Sequence, residues 1–119
     1  MSSQETFDTV VRHARTQQKK AKDAFGNCRY RTTDGLACFA GCLIPDADMV
    51  PAFEFVSVSK QAISSSSVLV TGYFRSRGFC VDLVGDLQRV HDSCDVATWE
   101  QGLSDVAQRF GLTYCPPVA

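Results

Sequence analysis

Three thiols and an imidazole are the residues in this chain whose chemistry could make a centre: Cys28, Cys38, Cys42 and His91. Together they have the composition of a tetrahedral Cys3His zinc site. The sequence lacks a Cys-x-x-Cys pair, and the spacing of Cys28, Cys38 and Cys42 is long and then short. The expectation is therefore no metal and no cofactor, with the thiols as small buried hydrophobes. A second chemistry would use Cys38 or Cys42 as a nucleophile, His91 as its base and Asp92 to orient the ring. Neighbouring helical residues point about 100° apart, so Asp92 is poorly placed to hold the ring of His91. His91 shares a stripe with Cys80, Val84 and Leu87 and reads as a helix-packing residue.

Whether the thiols can meet depends on a turn. Asp34-Gly35 between two β-capable runs is a hairpin signal. A two-residue turn pairs Tyr30 with Phe39 and puts Cys28 on the face opposite Cys38 and Cys42. A three-residue loop with Gly35 left-handed pairs Tyr30 with Cys38 and gathers the three thiols on one face. Both turn types are legitimate.

The other candidate chemistry is charge. Residues 1–31 hold seven basic and three acidic side chains, and the rest of the chain holds five and ten. Arg12, Arg15, Lys19 and Lys22 fall close to one helical stripe that could neutralise phosphates. Nucleic-acid binding through these four residues is the second functional reading. The sequence has no P-loop, no Gly-x-Gly-x-x-Gly and no Gly-x-Ser-x-Gly.

The elements that must position these groups follow from periodicity. Ser2-x-x-Glu5 is a capping box, and Phe7, Val10, Val11 and Ala14 mark one face of a helix over about residues 3–20. The hairpin is expected over residues 28–39. Residues 47–79 are open: Phe53 to Ser59 alternates like a strand, Ser64 to Ser67 reads as a loop, and Val68 to Phe74 has β propensity. Two helices close the chain, carrying Leu83, Leu87, Val90 and Cys94, and then Trp99, Leu103, Val106 and Phe110. Thr98 is expected to cap the second, Gly111 to stop it, and Asp86–Arg89 and Asp105–Arg109 to form surface pairs. The fold class predicted is α+β, in one domain over residues 1–119. Phe7, Val10, Tyr30, Leu43, Leu87, Trp99, Leu103 and Phe110 are its expected core.

With 119 residues and 45% apolar side chains the chain can build a core. No apolar run approaches the roughly 20 residues of a membrane span. The first residues do not read as a secretory signal, so a cytoplasmic location with reduced cysteines is expected.

One string is distinctive: Cys28, Tyr30, Arg31, Asp34, Gly35, Leu36, Cys38, Gly41, Cys42, Leu43, Ile44, Pro45 and Asp46, followed by Leu87, Gln88, His91, Asp92 and a Trp-led last helix. It resembles a group of small tailed-phage and prophage proteins with no settled biochemical function. The resemblance implies a phage-encoded protein of the host cytoplasm. Relatives carry an acidic, helix-forming stretch after the Ile-Pro-Asp segment, where this chain has Met49 to Phe74. The resemblance thus implies helix where propensity implies strand.

These observations lead to an expected function: a non-catalytic accessory protein that binds a host or phage macromolecule, foremost a protein, with action against host defence as its implied purpose. A cysteine-dependent enzyme is the third reading. The expected contact residues are Phe53, Phe55, Tyr73, Phe74, Arg75 and Arg77, where aromatics stand beside arginines.

Overall fold

The computed structural model describes residues 1–118. Four α-helices form: α1 (Ser3–Gln17), α2 (Ser65–Ser76), α3 (Val81–Ser93) and α4 (Trp99–Phe110). Short 3-10 turns lie at Gly41–Leu43, Asp46–Asp48, Pro51–Phe53 and Val96–Thr98. The α+β expectation is overturned. Among the described residues there is no sheet, only two isolated antiparallel bridges, Lys22 to Cys28 and Arg31 to Ala37.

The hairpin fails for a local reason. Gly35 is left-handed at φ 88°, and the Arg31–Ala37 bridge with Cys38 N–H donating to the Tyr30 carbonyl follows the register of the three-residue loop. The turn therefore exists, but pairing stops there. The chain folds into the turn at Gly41–Leu43, where Gly41 passes so close to Tyr30 that a β-carbon would lie 2.2 Å from its carbonyl oxygen.

Helix α1 starts on the capping box: Ser2 Oγ accepts the Glu5 N–H, and the Glu5 carboxylate accepts the Ser2 N–H, each at 3.1 Å. It ends three residues before the expected end. The Gln17 side chain pairs with both backbone groups of Ala37, at 2.9 Å each, and Gln18 turns left-handed. Lys19 and Lys22 therefore lie beyond the helix.

The middle segment contains the largest reversal. Ser64 is an N-cap, its hydroxyl accepting the Ser67 N–H at 3.1 Å. Val68 to Phe74 is helical and buries Val70, Thr71 and Phe74. The strand-like alternation of Phe53 to Ser59 does not become a strand: Phe53 ends a 3-10 turn, Glu54 and Phe55 turn the chain, and residues 56–59 run on with no strand beside them. Side chains take the place of a neighbour. Gln88 accepts the Val58 N–H at 2.9 Å and donates to the Val56 carbonyl at 3.3 Å. Tyr30 also donates to Val56, Ser67 donates to the Ser57 carbonyl, and Thr71 accepts the Ser59 N–H.

Helices α3 and α4 form where their apolar spacing places them. They meet at Gly102, where an added β-carbon would lie 2.9 Å from Val90 Cγ1. Gly111 caps α4 in the left-handed region, whereas Thr98 makes no side-chain cap bond. Arg89 pairs with Asp86 as expected, but Arg109 crosses to the same Asp86 at 3.0 Å and leaves Asp105 to Gln101. Seven of the eight expected core residues are buried, and Phe110 is half-buried against them. Phe39, fully buried, is the core's aromatic hub, with its ring centre 4.8 Å from that of Trp99 and 5.2 Å from that of His91.

Candidate functional site

The last turn of α3 carries a fully buried His91 and an exposed Asp92. The His91 ring stacks on Trp99 with 5.5 Å between centres. Its Nε2 lies 2.9 Å from the backbone nitrogen of Ala21, and its Nδ1 lies 2.7 Å from Asp92 Oδ1. An amide N–H can only donate. Nε2 is therefore the acceptor, and in the neutral ring Nδ1 carries the hydrogen and donates it to Asp92. Asp92 does hold the ring from the next position, contrary to the angular argument. The aspartate side chain reaches back across the gap that the helix turn leaves.

Cys28 joins this pair. Its sulfur, a His91 ring nitrogen and an Asp92 oxygen lie within 4.8 Å of one another. The Cys28 thiol is pushed up by burial first and then by the negative charge of the nearby Asp92 carboxylate. Beside it opens a cleft of about 190 Å³ lined by Cys28, Arg29, Tyr30, Phe55, Gln88 and Asp92, among others.

This geometry does not suit a metal centre. His91 has no lone pair left for a metal, because one nitrogen accepts from Ala21 and the other bears its hydrogen. Cys38 and Cys42 do not belong to the gathered set. Cys38 is buried with its sulfur accepting the Gly41 N–H at 3.2 Å, and burial pushes its thiol far up. Cys42 donates to the Phe39 carbonyl and is pushed up to about 12, again mainly by burial. Raised thiols beside a committed imidazole are poor nucleophiles.

The expected contact residues divide. Phe53 and Phe74 are core. Tyr73 is half-buried, its hydroxyl donating to Asp48 at 2.7 Å, and burial with Asp48 raises it to about 12. Arg77 packs over the Tyr73 ring and pairs with Asp48 at 3.3 Å. Phe55 and Arg75 are exposed. Phe55 holds a left-handed backbone at φ 66°, a conformation that costs roughly 1–2 kcal/mol, with Arg29 over its ring at 4.6 Å. Of the basic stripe, Arg12, Lys19 and Lys22 are exposed, but Arg15 is bound to Glu100.

Sequence reasoning missed Ala21 and Glu54. Ala21 carries no signal. Glu54, the one acid in an apolar alternation, was a readable anomaly: its carboxylate accepts the N–H groups of Tyr30 and Arg31 at 2.7 and 3.2 Å and lies 3.3 Å from Arg29 Nε. Also missed were Ile63 at 97% exposure and Leu69 at 51%, which stand uncovered in the same stretch as Phe55 at 64% and Val68 at 52%.

No helix among the described residues is long and apolar enough to cross a membrane. Comparisons with protein families, with curated proteins and with solved structures found no match to this chain.

Proposed function

We propose that the protein is a non-catalytic binding protein of the small phage and prophage type that its Cys28–Asp46 string resembles. Its partner is a host or phage protein, and its purpose is interference with host defence. The observation that carries the binding role is the uncovered apolar run of Phe55, Ile63, Val68 and Leu69. Large apolar side chains left uncovered within one short stretch of chain are the kind of group that a contact surface uses. The contact residues are refined accordingly: Phe55, Arg75 and Arg77 remain from the expected set, and Ile63, Val68 and Leu69 join them. The commitment of both His91 nitrogens supports a non-catalytic role. Pairing of Arg15 with Glu100, and the end of α1 before Lys19, make nucleic acid the weaker reading.

Affinity capture from bacterial lysate tests this, with protein and nucleic acid both identified in the eluate. The expected result is one protein retained by the native chain and lost with Phe55→Ser and with Leu69→Lys, while both variants melt as the parent does. Capture that persists through both substitutions, or of nucleic acid alone, would overturn the reading.

A further inference from the structure

Residues 18–30 form a loop closed by one bridge, Lys22 to Cys28, with the Arg29 N–H donating to the Ala21 carbonyl at 2.7 Å. Ala21 is wholly buried, yet its N–H is accepted by a side chain, His91 Nε2, and not by backbone. One more tie runs to the same end of α3: Lys20 Nζ donates to the Asp92 carbonyl at 3.2 Å. The Cys28 sulfur lies within 4.8 Å of an Asp92 carboxylate oxygen. The central tie is thus an imidazole, the side chain that changes charge near neutral pH.

Protonation of Nε2 would aim a hydrogen at the Ala21 N–H. Two donors would then face each other, and a buried amide would lose its acceptor. The rest of the site accommodates the cation. On α3, Asp92 keeps its bond to Nδ1–H and supplies a counter-charge. From α1, His13 meets another side of the Phe39 ring. The loop brings Lys20, Lys22, Cys28 and Tyr30, and Cys38 lies beyond them at the cleft. Helix α4 contributes the uncharged Trp99.

We propose that His91 is a protonation-operated latch: the neutral ring clamps the 18–30 loop to α3, and the protonated ring releases that loop and opens the cleft at Cys28 while the helices stay packed. This device is independent of the partner-binding reading, since the loop opens or stays shut with no partner present.

Amide hydrogen exchange on the ¹⁵N-labelled full chain tests it, at pH values from about 8 down to about 5. With intrinsic exchange rates divided out, protection of the Ala21 amide should fall about tenfold or more relative to Leu103 on α4, which marks global opening. Cys28 should react correspondingly faster with dithiodipyridine, relative to free cysteine at the same pH; protonation of the reagent's ring keeps it reactive toward the small thiolate fraction in acid. His91→Gln keeps an acceptor that does not titrate, so its Ala21 protection should stay level. Should that variant fail to fold, the native ring's ¹⁵N shifts decide the matter. They should show hydrogen on Nδ1 at neutral pH and titrate in step with the Ala21 amide shift. Ala21 protection that tracks Leu103 throughout, an equal loss in His91→Gln, or a ring that titrates without moving Ala21 would overturn the proposal.

Discussion

Arg15 of α1 and Glu100 of α4 hold each other in a two-pronged ion pair, Nε to Oε2 at 3.0 Å and Nη2 to Oε1 at 2.8 Å. The Tyr114 hydroxyl donates to the same carboxylate at 2.6 Å, and the Cys115 carbonyl accepts from Arg15 at 2.7 Å. One guanidinium thus ties the first helix, the last helix and the tail.

Arg15→Lys keeps the charge and loses the fork. The pair is about a third exposed, so the expected loss is modest, about 0.5–1 kcal/mol in urea denaturation at neutral pH. The Arg15 hydrogen bond holds the Glu100 carboxyl below its usual range, with burial opposing. The stabilisation is therefore present above the unfolded carboxylate value of about 4.3 and is lost as pH falls through the lowered folded value. The gap between parent and variant should close in acid, and a gap that widens there would show another cause.

The same substitution at two helical glycines should have opposite signs. At Gly85 a β-carbon would lie 2.5 Å from the Val58 carbonyl oxygen, whereas at Gly72 nothing lies within 4 Å. Gly85→Ala should cost roughly 1–3 kcal/mol by overpacking, despite the better helix former. Gly72→Ala should gain roughly 0.5–1 kcal/mol by limiting the unfolded chain. Denaturation midpoints of the two variants check both signs at once.

Leu103 is fully buried where α4 packs on the core. Leu103→Ala should cost on the order of 2–5 kcal/mol. A variant with the parent's melting temperature would show that α4 is not docked as described.

His13 supplies a pH dependence of its own. Burial lowers its affinity for a proton, opposed by the bond its Nε2 makes to the Ala37 carbonyl at 2.8 Å. With the folded value below the unfolded one of about 6.5, its stabilisation is complete above that pH and lost as pH falls through the folded value. His13→Gln can keep the donor and does not titrate. Native stability should therefore fall relative to this variant as pH drops below about 6.5, measured by denaturation at each pH.

Signals that lie within a few residues of each other were legible. The Ser2–Glu5 box, the apolar spacing of α1, α3 and α4, and Gly111 all act locally, and the structure repeats them. The Asp34-Gly35 turn was legible too, but its register was not: the spacing allowed both a two-residue turn and a three-residue loop, and the structure takes the latter. What was not legible depends on distant partners. Val68 to Phe74 is rich in strand formers, but Ser64 caps it and the core takes Val70 and Phe74 from one helical face. Phe53 to Ser59 alternates in sequence but forms no strand: it turns at Glu54 and Phe55, and Gln88 and Thr71, far along the chain, hold the rest. At the candidate site, His91 was legible as a packing residue. The Ala21 amide that fixes its tautomer was not, because a backbone donor has no signature in side-chain spacing.

The stitched segment, residues 56–59, bears on the order of assembly. Its tethers are carried by Gln88 of α3, by Thr71 and Ser67 of α2, and by Tyr30. Until those helices have wound, their side chains are not arrayed along a line, and the extended stretch has nothing to dock on. Its docking depends on those helices, and under mild denaturant its Val58 and Ser59 amides are expected to lose exchange protection before those of the helices do. The uncovered Phe55 lies immediately before it, so the docking of this stretch fixes where that aromatic is presented.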